Sequence, residues 1–170
     1  RVPRDGRMTT EATKQRFARE VAKYPADQKQ SAVMACLSIV QQEQGWVSAE
    51  SEDVIAGYLG MPQIAGHEVT TFCNMDNQHP VGKYKLAVCT NLPCQLRRGQ
   101  DALHHLEKKL GISMGETTAD GLFALQQCEC LGACADAPVM LVNDRNMCSF
   151  MDDDKLDQMV DGLRAAEGKQ

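Results

Sequence analysis

Hydrophobic spacing changes character about halfway along the chain. The first half has a helical period. Glu11–Tyr24 is charged and weakly amphipathic, and Pro25 stops it. Asp27 stands where it can cap a helix over Gln28–Gln44, in which Val33, Cys36, Leu37 and Val40 recur at helical spacing before Gly45 ends it. Ser48 caps a third helix, with Glu50, Glu52 and Asp53 near its positive end and Val54, Ile55, Tyr58 and Leu59 directed inward as far as Gly60. Pro62 suits the first turn of a fourth, carrying Ile64, Val69 and Phe72. Past the turn-rich stretch NQHPVG (Asn77–Gly82) the pattern alternates strand and helix. Tyr84–Cys89 reads as a strand, Arg97–Leu110 as a helix with Leu103, Leu106 and Leu110 on one face, and Leu122–Gln127 as a second strand. Val139–Asn143 and Met147–Phe150 flank the polar turn Asp144–Asn146 as a hairpin does. Asp152–Ala165 closes the chain as a helix with Leu156, Met159, Val160 and Leu163 inward. The expected layout is an arm over residues 1–10, a helical domain over 11–80 and a second domain over 81–170.

Strand order gives the class. β-α-β followed by β-β-α is a thioredoxin-like arrangement, so the expectation is an α+β protein: an N-terminal helical bundle, then a thioredoxin-like β-α-β-β-β-α domain. Two strands joined by one crossover helix run parallel, with a right-handed connection.

Composition narrows the chemistry. At 170 residues, 43% of them hydrophobic and 24% charged, the chain has the make-up of a globular protein with a real core. A net charge of −5 argues against a nucleic-acid partner, which needs a basic face. No apolar run approaches a membrane span, so no direct membrane insertion is expected. The opening RVPRDGRM has no secretory pattern, and the expected compartment is the reducing cytoplasm. There, eight cysteines point to metal, reactivity or burial more than to disulfides.

Five of the eight lie in CTNLPC (Cys89–Cys94) and CECLGAC (Cys128–Cys134). Cys89 ends the first strand and Cys94 lies in the loop after it. Cys128, Cys130 and Cys134 lie just beyond the second strand. If the strands are parallel neighbours, both loops leave the same sheet edge, where open α/β sheets place ligands, and a four-thiolate site converges there. Cys130 and Cys134 share a loop around LGA, whose glycine permits close backbone approach. Cys128 would share a side with Cys130 if the strand ran that far, so periodicity alone does not exclude it. The chain has no C-x-x-C, which disfavours a thiol-redox protein. A structural four-cysteine zinc module stays open. A [2Fe–2S] cluster also takes four thiolates, and C-x4-C is familiar from its plant-type form, so spacing leans towards the cluster. Arg97 and Arg98 could offset its negative charge or simply begin a solvated helix.

Other features read as structural. Cys36 and Cys148 are core thiols, and Cys73 packs near a helix end. His104 and His105 are surface residues, while His67 and His79 lack partner spacing. Trp46 anchors the helical part or touches a partner. Met34, Met140 and Met159 fit core faces, and the acidic runs Ser51–Asp53 and Asp152–Asp154 suit helix starts. There is no G-x-G-x-x-G, P-loop or catalytic triad.

VCTNLPC, GLFALQQCECLGACADAPVMLVND and MCSF resemble the 24-kDa-type subunit of respiratory complex I, a thioredoxin-like [2Fe–2S] ferredoxin. The resemblance runs over nearly the whole chain, from YPADQKQSAV and QGWVS through PVGKYK to the last helix. It implies one [2Fe–2S] cluster held by Cys89, Cys94, Cys130 and Cys134, with Cys128 outside the set. It also implies a subunit of NADH:quinone oxidoreductase, a translocase, with no catalysis of its own. FMN and NADH would bind an NADH-oxidising flavoprotein partner, and the chain would be peripheral to the inner membrane through its complex. Similar modules serve NAD-dependent formate dehydrogenases and NAD-reducing hydrogenases. Cys73 and Asp76 in TTFCNMDN depart from the family's common aromatic, which bears on partner contact and not on the cofactor.

Overall fold

The computed structural model describes residues 10–168; the arm expected over residues 1–10 lies outside them apart from Thr10. Two compact units divide between Pro80 and Val81.

The first unit is helical. α1 (Glu11–Val21) starts where the Thr10 hydroxyl accepts from Thr13 N–H at 3.2 Å. It stops short of Tyr24, because the residue before a proline is pushed out of the helical region. The helix expected over Gln28–Gln44 is shorter too. Ala26–Ala32 winds as tight 3-10 turns with Gln28 at φ −118° and ψ 23°, so Asp27 lies inside this segment and caps nothing. α2 spans Val33–Gln44. Regular helix begins where buried side chains begin: Ala32 and Val33 enter the core, whereas the polar DQKQS before them has nothing apolar to dock. Gly45 (φ +86°) ends α2.

α3 (Ala49–Leu59) takes its cap from Ser48, which accepts from Ser51 N–H. Its inward stripe is Ser51, Glu52, Ile55, Ala56 and Leu59; Val54 is half-buried, and Tyr58 is exposed with its ring 5.3 Å from that of Phe17. α4 (Gln63–Phe72) turns small residues inward. Gly66 and Thr70 are buried, whereas Ile64 and Phe72 are exposed, Phe72 at 87%. Small residues allow this. A Cβ on Gly66 would stand 3.8 Å from the Ala56 side chain, and buried Glu52 accepts from Thr70 Oγ1 and lies 2.9 Å from His67 Nδ1. Close approach and a buried polar cluster hold α4, with Val69 packed partly against the core and Ile64 and Phe72 left outside. Phe17, Leu37, Val40, Val47, Ile55 and Leu59 form the core. Val47, not the half-buried Trp46, enters it, and Met34 is 59% exposed instead of core-facing.

The second unit is a four-stranded mixed sheet in the order β2-β1-β3-β4: β1 Tyr84–Cys89, β2 Phe123–Cys128, β3 Met140–Val142 and β4 Asn146–Cys148. β1 and β2 are parallel from Tyr84↔Phe123 to Cys89↔Cys128, and β3 is antiparallel to β1. The crossover contains α5 (Leu92–Leu96), a short helix where the pattern predicts loop, and α6 (Gly99–Leu110). α7 (Asp153–Glu167) closes the unit, capped by Asp152. Leu86, Val88, Phe123, Leu125 and Met140 of the sheet pack with Leu103 and Leu106 of α6 and Leu156 and Val160 of α7. In the β3–β4 hairpin Asn143 and Asp144 have φ +54° and +55°, the left-handed turn that such residues tolerate best. Lys85, 2% exposed, pairs with Asp144 at 2.7 Å and ties that turn to β1. Among the described residues no helix is long and apolar enough to cross a membrane.

Candidate metal centre

β1 and β2 end side by side with Cys89 opposite Cys128, so every second residue back from each shares their face of the sheet. Cys89 is 1% exposed. Thr90 and Asn91 carry the chain off the strand, and Cys94, also 1% exposed, comes back towards it on α5. There it packs with Cys89, Ala137 and Val139, and the neighbouring Cys89 thiol helps to hold its proton. Gly99, which sequence reasoning passed over, makes this return possible. A Cβ there would stand 2.8 Å from the Cys89 carbonyl oxygen and 2.9 Å from that of Cys94. The signal was present in a weak form: a glycine at a helix start that lacks any capping side chain.

The other pair spans a loop that ends where Cys134 opens the 3-10 turn Cys134–Asp136. Cys130 is exposed and Cys134 half-buried, with their sulfurs 4.0 Å apart. Gly132 N–H donates to Cys130 Sγ at 3.3 Å. Gly132 is required by its φ of +75°; no chain atom lies within 4 Å of where a Cβ would stand, so close approach is not the reason. The loops are tied together beside the thiols: Thr90 N–H donates to the Cys128 carbonyl at 3.2 Å, Gln127 Nε2 to Thr90 Oγ1, and Asn91 Nδ2 to Glu129 at 3.2 Å.

Electrostatics couples the pairs. Burial pushes the Cys94 thiol up to about 11, and the hydrogen bond and charge of Cys89 add to this; Val139 N–H opposes it, and Cys134 contributes from the other loop. Cys134 is raised first by its hydrogen bond with Cys130, then by burial, and it also feels Cys89. Cys128 packs on the cluster formed by Cys89, Cys94, Ala137 and Val139, and burial pushes it to about 12. The fold therefore brings all five thiols to one sheet edge, four of them as two close pairs. Among the described residues no three cysteines, histidines or carboxylates lie close enough to hold one ion. Together the two pairs, with the Gly132 N–H donating to the Cys130 sulfur, offer four soft thiolate donors of the kind that iron–sulfur groups take.

The remaining candidates fall elsewhere. Cys36 is in the helical core, where burial raises it to about 11; Cys73 ends α4; Cys148 packs half-buried against the sheet core. His104 is exposed, whereas His105 bonds Asp157 at 2.9 Å and links α6 to α7. His67 has the Glu52 partner that its sequence neighbourhood did not reveal. Arg98 pairs with Asp101 at 3.0 Å, Arg97 is exposed, and neither is among the groups shifting the thiols.

Comparison with known proteins agrees with this construction. The thioredoxin-like [2Fe–2S] ferredoxin family matches residues 17–164. A subunit of the NADH-quinone oxidoreductase of Rickettsia conorii is 41% identical over 145 residues, covering 85% of this chain and 86% of that protein. NADH-quinone oxidoreductase subunit 2 of Thermus thermophilus is 39% identical over 155 residues, 91% of this chain and 86% of that protein. The crystal structure of an NAD+-reducing [NiFe]-hydrogenase in the air-oxidised state shares the fold, with a TM-score of 0.68 at 18% identity over 79% of this chain; the match spans only 23% of the hydrogenase chain. Sequence, strand order and thiol placement agree, and the chain belongs to the thioredoxin-like [2Fe–2S] ferredoxin family.

Proposed function

We propose that this chain is an electron-transfer subunit of an NADH-quinone oxidoreductase, holding one [2Fe–2S] cluster through Cys89, Cys94, Cys130 and Cys134. One observation carries the reading: two thiol pairs, one at the end of β1 and one just past the end of the adjacent parallel β2. When bound, such a cluster accepts and returns electrons one at a time. The chain's own residues bind and orient it. Cys89 and Cys94 provide a buried floor, Ala137 and Val139 exclude water around that floor, and the Val139 and Gly132 N–H groups stabilise charge on sulfur. A four-cysteine zinc site would instead need all four donors around one point, and the paired arrangement does not favour it.

Relatives of this length and similarity carry the names of NADH-quinone oxidoreductase subunits, which supports that complex over a formate dehydrogenase or a hydrogenase. FMN and NADH belong, in this proposal, to a flavoprotein partner, and the chain works in the cytoplasm, peripheral to the inner membrane through its complex. The helical unit docks that partner, with exposed Ile64 and Phe72 of α4 in the contact. NADH added anaerobically to the loaded, isolated chain should leave its visible absorption unchanged, and adding the flavoprotein should bleach it. Bleaching by NADH alone would contradict the division of labour. Phe72→Asp should abolish co-purification with the flavoprotein and leave the colour intact; retained co-purification would remove α4 from the contact.

A further inference from the structure

We infer that Cys130 and Cys134 form a redox-active dithiol in the cluster-free chain, which a small disulfide oxidises to an internal Cys130–Cys134 disulfide that closes the site to iron. The inference rests on the ligand assignment above only for its consequence; the dithiol itself stands on geometry. The two sulfurs are 4.0 Å apart, one in a loop and one at the first residue of a 3-10 turn, so rotation of the side chains brings them to bonding distance. Their surroundings differ in the way that sequential exchange requires. Cys130 is exposed and meets a disulfide from solvent, whereas Cys134 is half-buried behind it and meets Cys130. Gly132 at φ +75° folds the intervening loop back on itself, and its N–H already bonds the Cys130 sulfur. No C-x-x-C is needed, because the C-x3-C loop achieves the approach by this turn.

The step balances with glutathione disulfide as oxidant. The Cys130 thiolate attacks one sulfur of the oxidant, forming a mixed disulfide and releasing one glutathione thiolate. The Cys134 thiolate then attacks the Cys130 sulfur, forming the internal disulfide and releasing the second. Two protein thiols lose two electrons, the oxidant gains two, and the protons of the thiols end on the two glutathiones. A disulfide sulfur carries no thiolate charge, so the oxidised loop offers no ligands, while Cys89 and Cys94 remain buried beneath it. Loading then requires prior reduction.

The full-length, cluster-free chain would be incubated with glutathione disulfide, quenched with an alkylating agent and mapped by peptide mass spectrometry. The expected result is one internal disulfide joining Cys130 to Cys134, and a stable mixed disulfide on Cys130 in the Cys134→Ser variant. The oxidised wild-type chain should then take up no iron from ferrous iron and sulfide until dithiothreitol is added. Free thiols at both positions, a Cys89–Cys94 bridge formed first, or iron uptake unaffected by the disulfide would each overturn the inference. A reduced chain that fails to load would overturn the ligand assignment instead, and the disulfide map would still decide the dithiol.

Discussion

The two thiol pairs contrast sharply in construction, although the proposed cluster needs both. Cys89 and Cys94 belong to the core: one closes a strand, the other sits on a helix, and Gly99 packs directly under both carbonyls. Cys130 and Cys134 belong to the surface, held by one turn, one N–H to sulfur and a clasp between loops. On the proposed assignment, half of the cage is folded in advance with the sheet, whereas the other half presents Cys130 to solvent. Loading and loss of a bound group should both begin at the loop.

Gly99→Ala should break this contrast most severely. Its new Cβ meets backbone rather than a flexible side chain, so the buried pair must shift. Overpacking of this kind costs about 1–3 kcal/mol, visible as a lower urea midpoint together with loss of loaded protein. Gly132→Ala costs about 1–2 kcal/mol of left-handed strain locally, in a loop with open space around it. It should reduce loading and leave the urea midpoint of the cluster-free chain almost unchanged. Equal midpoints for the two variants would erase the distinction between core pair and loop pair.

Alkylation of the cluster-free chain should separate the two pairs by rate. Cys130 is exposed and should react first. Cys94 is buried and its thiol is pushed up to about 11. With the proton held to that point, only about one molecule in a thousand carries the Cys94 thiolate at pH 8. Its labelling rate should climb about tenfold per pH unit from there and level off near 11. Labelling of Cys94 as fast as Cys130 at pH 8 would show that the floor is not closed.

Asn91→Ala removes the exposed clasp to Glu129, a bond contributing less than about 1 kcal/mol. Folding should be unaffected, and release of bound iron to a chelator should quicken modestly; an unchanged release rate would show that the clasp does not restrain the loop. The smallest effect is expected of Cys128→Val. Cys128 faces Cys89 across the strands but stands outside both close pairs, so loading should survive. Loss of loading in that variant would make Cys128 a ligand and redraw the site.

What could be read from the sequence follows from how local each signal is. The parallel pairing of β1 and β2 was legible because a strand, a helix with leucines on one face and a second strand follow in order, and this alone carries Cys89 and Cys130 to one edge. The hairpin was legible from its polar turn. α5 was not: five residues are too few to show a period, and Cys94 therefore read as a loop residue. The facing of α4 was not legible either, because Gly66 and Thr70, not the larger Ile64 and Phe72, decide how it meets α3. Glu52 and His67 are fifteen residues apart, so their bond left no trace in spacing. Gly99 was missed for the same reason, since its constraint comes from carbonyls brought under it by the folded crossover.

The most direct test of the cluster assignment is a count of iron and acid-labile sulfide on anaerobically purified protein, with visible absorption and low-temperature EPR before and after dithionite. Two paired-thiolate ligand sets predict a red-brown chain with two irons and two sulfides, EPR-silent when oxidised and giving a single rhombic signal when reduced. A colourless chain with one zinc, refractory to reconstitution with iron and sulfide under reducing conditions, would contradict it.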